Sequence, residues 1–224
     1  MDLGTADYRP TWEYQHSLFD SMVERKRQGL NIEEEFLLLV EHNPVYTLGK
    51  HGHAENLLFA APERNGVKAE CIRIERGGDI TFHGPGQLVA YPIIDLERHH
   101  LGVKDYVWTL EETVIRTIAH YGIRGERVDG ASGVWIDAAT PRERKICALG
   151  VKCTRFVTMH GLALNVNTDL GWFGLINPCG FVDKGVTSIE RELGHIVDIS
   201  EVKATLAQEF LQLLDERTKA YGSN

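Results

Sequence analysis

One of the four cysteines of the sequence lies in a turn with a constrained backbone. Cys179 stands between Pro178 and Gly180 in the stretch INPCG. Proline fixes its own φ angle and restricts the residue before it, whereas glycine adopts backbone conformations that other residues avoid. Such a turn can hold a sulfur at a tip, with backbone N–H groups close to it. We interpret Cys179 as a candidate nucleophile, with an ordinary tight turn as the alternative.

A lysine at the start of a strand-like run is the second candidate. Lys145, Cys147 and Leu149 fall on one face of a strand with the sequence KICALG, and we expect that face to point inward. Burial would lower the pKa of the lysine and suit it to act as a general base, or as the cation beside a thiolate. The alternative is a lysine whose charged end reaches solvent at the start of the strand.

A thiolate nucleophile needs a nearby cation, a base or oriented backbone dipoles to lower its pKa. Composition does not choose among the possible groups, which are Lys145, Lys152, Lys184, His83 and His160. Among the other cysteines, Cys71 and Cys147 lie in apolar strand patterns and are predicted to be core residues. Cys153 could be either a core residue or a reactive thiol, and both interpretations stay open.

The densest unusual stretch is RGGDITFHGPGQLVAYPIIDL, which runs from Arg76 to Leu96. Glycines weaken a strand unless a ligand or another backbone must approach closely. The stretch therefore suits the wall of a narrow slot, and a glycine-rich hairpin with a structural His83 is the alternative. The pattern matches neither the dinucleotide fingerprint nor the P-loop.

The composition of the whole chain excludes several classes of protein. A formal net charge of −8 argues against a general nucleic-acid binder, and no apolar run reaches the roughly 20 residues that span a bilayer. The first residues resemble no secretory signal. Four scattered cysteines without metal-ligand spacing favour reduced thiols, hence the cytoplasm and no metal. With no linker or repeat, residues 1–224 are expected to form a single domain.

Three segments have helical periodicity: Thr11–Gly29, Lys104–Gly122 and Ser200–Arg217, the last with Ser200 as a plausible N-cap. Strand-like runs lie between them, and the predicted strands are FLLLVEH, VYTLG, CIRIERGG, LVAYPII, SGVWID, KICALGVKC and HGLALNVN. Short connections between these strands favour antiparallel or mixed pairing. We therefore expect an α+β fold, a mixed sheet with flanking helices packed against it.

Taken together, three stretches resemble the octanoyltransferases of lipoate biosynthesis, also called lipoate–protein ligase B. RGGDITFHGPGQ resembles the glycine-rich signature of that family, KICALG its lysine motif, and HGLALNVNTDL with INPCG its remaining pair. The resemblance runs from Asn43 to Gly180. It implies the fold of biotin and lipoate protein ligases.

The resemblance also assigns site residues. It implies a catalytic dyad of Cys179 and Lys145, with no cofactor. It implies an acyl-binding slot formed by Arg76, Gly77, Gly78, Asp79, Ile80, Thr81, Phe82 and His83, by Ala148, Leu149 and Gly150, and by Gly161, Leu162 and Ala163. Of these side chains, Leu149, Leu162 and Phe82 are suited to line an apolar tunnel.

The implied reaction moves an octanoyl group in two steps. Its donor would be octanoyl-acyl carrier protein, and its acceptors would be lysines in the lipoyl domains of 2-oxoacid dehydrogenases and in the glycine cleavage H protein. The alternatives are an ATP-dependent ligase of the same fold, a silent acyl-binding module, and a zinc protein using Cys147, Cys153 and His160. A basic patch of Arg142, Arg144, Lys152 and Arg155 could dock the acidic carrier protein, or could be an ordinary solvated face.

Overall fold

The computed structural model describes residues 1–59, 61–177 and 185–222, and its three long helices follow the predicted periodicity, whereas the short helix Ile189–Leu193 was not predicted. Among these residues the α-helices are α1 (Tyr8–Arg27), α2 (Val103–Ala119), α3 (Ile189–Leu193) and α4 (Ile199–Gly222). Short 3-10 helices span Ala54–Asn56 and Leu170–Leu175. No helix of the described part combines the length and apolarity needed to cross a bilayer.

The predicted N-cap of α4 is wrong by two residues. Asp198 Oδ1 accepts a hydrogen bond from the Ser200 backbone N–H at 2.8 Å. Ser200 therefore lies in the first turn, and a carboxylate takes the capping position, where it also complements the positive end of the helix dipole.

The main sheet is mixed. Its strands follow the order β1-β2-β8-β12-β11-β10-β9, with β13 paired to β11. Pairs β1–β2 and β11–β13 are parallel, and the other neighbours are antiparallel. The strands span Asp2–Ala6 (β1), Phe36–His42 (β2), Gln87–Ile93 (β8), Glu126–Val128 (β9), Ala131–Ile136 (β10), Arg144–Thr154 (β11), Val157–Asn165 (β12) and Gly185–Val186 (β13). The expected α+β architecture is confirmed.

Two small sheets accompany the main one. The first has the order β6-β3-β7 and contains Val45–Leu48 (β3), Glu70–Arg73 (β6) and Ile80–His83 (β7). The second is the hairpin of Glu63–Arg64 (β4) and Val67–Lys68 (β5). The glycine-rich stretch thus leaves β7, turns through Gly84–Gly86 and enters β8 of the main sheet.

Helices cover both faces of the main sheet. Phe19 and Met22 of α1 pack in one core cluster with Val89 and Met159. Helices α2 and α4 form the other cluster, in which Leu110 and Leu206 are both buried. Burial of such side chains contributes about 1.5–3 kcal/mol each, which fixes the sheet between its helices.

Candidate active site

A cavity of about 430 Å³ lies between the glycine-rich stretch and the main sheet. Among the predicted slot residues, those that border it are Arg76, Gly77, Gly78, Asp79, Ile80, Thr81, His83, Ala148, Leu149, Gly150, Gly161, Leu162 and Ala163. The structure thus brings together thirteen of the fourteen expected wall positions, along with Lys145. A volume of this size is ordinary for a small-molecule site.

Phe82 is the exception. Its side chain is 1% exposed, and its ring stacks on Trp172 with the centroids 5.0 Å apart. Phe82 contributes to a separate small core with Tyr46. The expectation that the Phe82 ring lines the slot is therefore corrected.

Two glycines allow the cavity to exist between closely spaced backbones. Gly150 of β11 and Gly161 of β12 lie opposite each other in the sheet. A Cβ on Gly150 would lie 2.8 Å from the Gly77 carbonyl oxygen and 2.9 Å from Arg76 Cδ. A Cβ on Gly161 would lie 2.2 Å from the Ala90 carbonyl oxygen. Both distances are too short for a side chain, so glycine is required by close approach.

We predict that Gly150→Ala raises KM for the acyl donor by about tenfold, because the added methyl group pushes the wall at Arg76 and Gly77 out of place, at a cost of about 1–3 kcal/mol. Steady-state kinetics of acyl transfer measure the effect. The matched control is Gly174→Ala, since a Cβ there meets no atom within 4 Å. Equal KM values for the two variants would contradict the prediction.

Burial keeps the two cavity histidines neutral. His83 is 6% exposed and His160 is 1% exposed, and burial lowers the pKa of each to about 3. Neither ring can therefore supply the positive charge beside a thiolate at neutral pH. His160 has a positive φ of 61°, and neither of its ring nitrogens has a hydrogen-bond partner among the described residues.

Lys145 borders the cavity through an irregularity in β11. Trp135 of β10 lies opposite Lys145, whereas Val134 lies opposite Cys147, so β11 carries one extra residue at this point. Ile146 and Cys147 both lie in the core cluster of α2 and α4. The prediction that Lys145 and Cys147 share one face of the strand is wrong, because the alternation of side chains is interrupted at a β-bulge.

Two contacts hold the Lys145 side chain at the cavity. Its Nζ lies 4.4 Å from the centroid of the Trp135 ring, and donates a hydrogen bond to the Ser132 carbonyl oxygen at 3.2 Å. An ammonium over an aromatic face is stabilised by about 0.5–2 kcal/mol. By contrast, Lys152 lies farther along the same strand and pairs with Glu75 at 3.0 Å. Of the cations considered from the sequence, Lys145 is the described one that borders the cavity.

The three described cysteines are unsuited to act as nucleophiles. Cys71, Cys147 and Cys153 are free thiols, and burial raises the pKa of each. Cys147 is fully buried in the core, as predicted. A raised thiol pKa disfavours the reactive thiolate.

Cys179 and Lys184 lie outside the described residues. The described residues nearest to that segment are Asn177 and Gly185. Ile176 and Gly185 both border the cavity, and Val186 pairs with Lys145 in the parallel ladder of β11 and β13. Described residues on both sides of the Cys179 segment therefore border the cavity, and the one after it lies beside Lys145.

The hypothesised basic patch is not one surface. Arg142 and Arg144 lie at the start of β11, whereas Lys152 and Arg155 lie at its end or beyond it. Eight residues of extended strand separate Arg144 from Lys152, about 26 Å at 3.3 Å per residue. Arg144 and Lys152 are also engaged in ion pairs within the protein. The patch thus consists of two separated pairs, and one charge of each pair is already balanced by a carboxylate of the protein.

Arg144 instead ties the strand to α3. Its guanidinium donates two hydrogen bonds to the Glu192 carboxylate, at 2.7 and 2.5 Å, and a third to Asp137 at 2.6 Å. Arg144 holds the pKa of Glu192 below its usual range. This bidentate geometry is the strong form of such a pair.

We predict that Arg144→Met lowers the free energy of unfolding at pH 7 by about 1–3 kcal/mol. A carboxyl with a depressed folded pKa stabilises the fold above its unfolded pKa, and this contribution is lost as the pH falls through the folded value. The difference between wild type and variant should therefore shrink as the pH falls below about 4.5. Denaturant titrations from pH 7 to pH 3 measure it. A difference that stays constant would contradict the prediction.

The cavity also contains residues that the sequence motifs did not indicate. Tyr8 of α1, Tyr91 of β8 and Trp135 of β10 all border it and are at most 3% exposed. Tyr91 lies within the predicted strand LVAYPII, where a tyrosine among aliphatic residues suggests a polar group with an interior partner. Its hydroxyl lies 2.8 Å from His42 Nε2. The sequence around Tyr8 gave no indication that its side chain borders the cavity.

No group of three His, Cys, Asp or Glu side chains in the described ranges could hold a metal ion. The zinc alternative, with Cys147, Cys153 and His160, therefore has no supporting cluster there.

The fold has counterparts among known proteins. A bi-partite lipoate protein ligase from Thermoplasma acidophilum superposes with a TM-score of 0.66 at 16% identity, covering 97% of this chain and 88% of that one. At this identity the likeness shows the fold alone, which is that of lipoate protein ligases. The family model of the lipoyl protein ligase A/B catalytic domain matches residues 7–211.

Relatives with higher sequence identity show which group within this family the chain belongs to. The chain is 51% identical over 217 residues to the octanoyltransferase of Bacteroides thetaiotaomicron, covering 97% of this chain and 95% of that protein. It is 47% identical to the octanoyltransferase of Christiangramia forsetii, covering 97% and 96%. The chain therefore belongs to the lipoyl protein ligase A/B catalytic family and, within it, to the octanoyltransferases.

Proposed function

We propose that this chain transfers an octanoyl group from octanoyl-acyl carrier protein to the lysine amine of lipoyl domains, through a thioester on Cys179. The observation that carries the proposal is the cavity: Lys145 borders it together with Ile176 and Gly185, which lie on either side of the Cys179 segment. The similarity to octanoyltransferases supports the same reaction. Residues 1–224 would act as one catalytic unit.

The walls of the cavity suit an acyl chain. Leu149, Leu162 and Ala163 supply apolar surface. Each buried methylene contributes about 0.8 kcal/mol, so an octanoyl tail gains several kcal/mol on entering an apolar channel. The donor would place its thioester at the end of the cavity where Lys145 lies.

In the first half-reaction, the Cys179 thiolate attacks the carbonyl carbon of the donor thioester. A new carbon–sulfur bond forms, the bond to the carrier sulfur breaks, and Lys145 gives a proton to the leaving thiolate. Backbone N–H groups near the reacting carbonyl would stabilise the oxyanion, an effect of about 3 kcal/mol per donor in comparable sites. The product is octanoyl-Cys179 and free carrier thiol.

In the second half-reaction, the acceptor lysine attacks the octanoyl thioester as a free amine. Lys145, now neutral, takes the proton that the amine loses, and the Cys179 thiolate leaves. An amide forms and the enzyme returns to its starting state. Thioester exchange is nearly isoenergetic and amide formation from a thioester is downhill, so the cycle needs no ATP.

The proposed acceptors are the lipoyl domains of 2-oxoacid dehydrogenases and the glycine cleavage H protein. The proposed compartment is the cytoplasm, where thiols such as Cys179 are kept reduced.

The test is a transfer assay with purified octanoyl-acyl carrier protein and a lipoyl domain in the absence of ATP. We expect the lipoyl domain to gain one octanoyl group by mass. A parallel reaction contains free octanoate and ATP in place of the thioester donor. Octanoylation only in the parallel reaction would contradict the proposal and favour the ligase alternative.

A further inference from the structure

A continuous chain of buried side-chain hydrogen bonds runs along the cavity wall. Its members, in order, are Arg76, Thr47, His83, Gln87 and Asn165, and it ends on the backbone carbonyl of Thr187. All six residues are at most 8% exposed. Buried polar chains of this kind are costly to leave incomplete, so their full satisfaction holds the elements that they join.

The first half of the chain connects the glycine-rich stretch to β3. Arg76 Nη2 donates to Thr47 Oγ1 at 2.9 Å. Thr47 Oγ1 lies 3.3 Å from His83 Nε2, and His83 Nδ1 lies 2.8 Å from Gln87 Oε1. The side chains of Arg76 and His83 are thus engaged by the protein itself.

The second half reaches the strand beside Lys145. Gln87 Nε2 donates to Asn165 Oδ1 at 2.9 Å, and Asn165 Nδ2 donates to the Thr187 carbonyl oxygen at 3.0 Å. The Thr187 backbone N–H in turn donates to the Lys145 carbonyl oxygen at 2.9 Å. The chain of hydrogen bonds therefore ends one peptide group away from Lys145.

The donor and the acceptor of each hydrogen bond can be assigned, because some of the groups can only donate and others can only accept. The Arg76 guanidinium only donates, and its Nε and Nη2 occupy both lone pairs of Thr47 Oγ1, so the Thr47 hydroxyl gives its own proton to His83 Nε2. Gln87 Nε2 also donates to the Phe82 carbonyl oxygen, so the other amide atom is the oxygen that accepts from His83 Nδ1. His83 is therefore the neutral tautomer with its proton on Nδ1.

We propose that Thr47, His83, Gln87 and Asn165 are positioning residues that hold Lys145 in place for octanoyl transfer, an inference that rests on the proposed function. Strand β13 has two residues, too few to fix its own place beside β11. Thr187 follows β13 directly in the sequence. Asn165 bonds to the Thr187 carbonyl oxygen, and the Thr187 backbone N–H bonds to Lys145. A misplacement of about 1 Å at a catalytic group can cost about 10²-fold in rate.

Thr47 offers the cleanest test, because it is fully buried and does not border the cavity. Thr47→Val removes the hydroxyl at nearly constant volume, whereas Thr47→Ser keeps it. We expect Thr47→Val to lower kcat by about 10- to 100-fold. Thr47→Ser should keep kcat within about threefold of wild type.

A structural role alone would lower the denaturation midpoint of Thr47→Val and leave kcat of the folded enzyme unchanged, and that result would overturn the proposal. Equal losses of kcat in Thr47→Val and Thr47→Ser would also overturn it, because the hydroxyl would then be irrelevant. Wild type serves as the reference: if it transfers no octanoyl group, the proposed function fails instead.

A second measurement needs no variant. Long-range ¹H–¹⁵N spectra of the wild-type protein report the tautomer of each histidine. We expect His83 to be neutral with its proton on Nδ1 from pH 6 to pH 8. A proton on Nε2, or a charged ring at pH 6, would overturn the proposal because the bonds to Thr47 and Gln87 could not both form.

Discussion

Cys179→Ala is expected to lower the rate of octanoyl transfer by at least about 10³-fold, because the substitution removes the sulfur atom that we propose as the acyl carrier. The burial of the three described cysteines supports this expectation, since burial raises the pKa of Cys71, Cys147 and Cys153. None of these three described cysteines borders the cavity. Transfer to a lipoyl domain, followed by mass spectrometry, measures the loss.

The matched control is Cys153→Ala. Cys153 lies on β11 and is half-buried, and it does not border the cavity. This variant should retain the wild-type rate. Substantial activity in Cys179→Ala would contradict the mechanism and would direct attention to a direct transfer from donor to acceptor.

Lys145→Ala is expected to lower kcat by about 10²- to 10⁴-fold, the range typical of a positioned acid–base group. The variant Lys145→Arg distinguishes the two roles proposed for Lys145, which are to provide positive charge and to transfer a proton. A guanidinium still provides positive charge beside the attacking and the leaving thiolates, and the carrier thiolate can depart without a proton, but a guanidinium cannot take a proton from the acceptor amine. The arginine variant should therefore form the acyl-enzyme and stall before amide formation. Rapid-quench measurements of the two half-reactions distinguish these steps.

Lys152→Ala is the control for this prediction. Lys152 is on the same strand but pairs with Glu75 and does not border the cavity. If Lys152→Ala and Lys145→Ala lost activity equally, the assignment of Lys145 would be wrong.

The features that the sequence predicted correctly are those encoded over short distances. The spacing of Leu110, Val114 and Ile118 marks the buried face of α2, and all three are fully buried. The strand FLLLVEH was predicted with the bounds that the structure gives to β2. Local periodicity suffices for such elements because each repeats a single pattern over several turns or residues.

Other features depend on tertiary structure and could not be predicted. The two-residue strand β13 has no periodicity, and its place beside Lys145 is set by Asn165 from a different strand. The bulge in β11 depends on pairing with β10, so the alternation rule failed at Cys147. Tyr8 reaches the cavity from α1, far from any motif in the chain.

The slot residues that the motif resemblance implies lie mostly around one cavity. Thirteen of the fourteen border it, and their role in acyl binding stays a prediction. Phe82 differs because its ring packs against Tyr46 and Trp172 in the small core, a tertiary contact that the motif does not encode. The resemblance also did not reveal that Arg76 and His83 bond to the protein.

The most direct measurement of the central claim is the intact mass of the enzyme after brief mixing with octanoyl-acyl carrier protein and no acceptor. We expect one octanoyl group per chain, released by hydroxylamine and located at residue 179 by peptide mapping, and transferred to a lipoyl domain when one is added. An enzyme that turns over rapidly without any such adduct, or an adduct on another residue that is competent for transfer, would contradict the account.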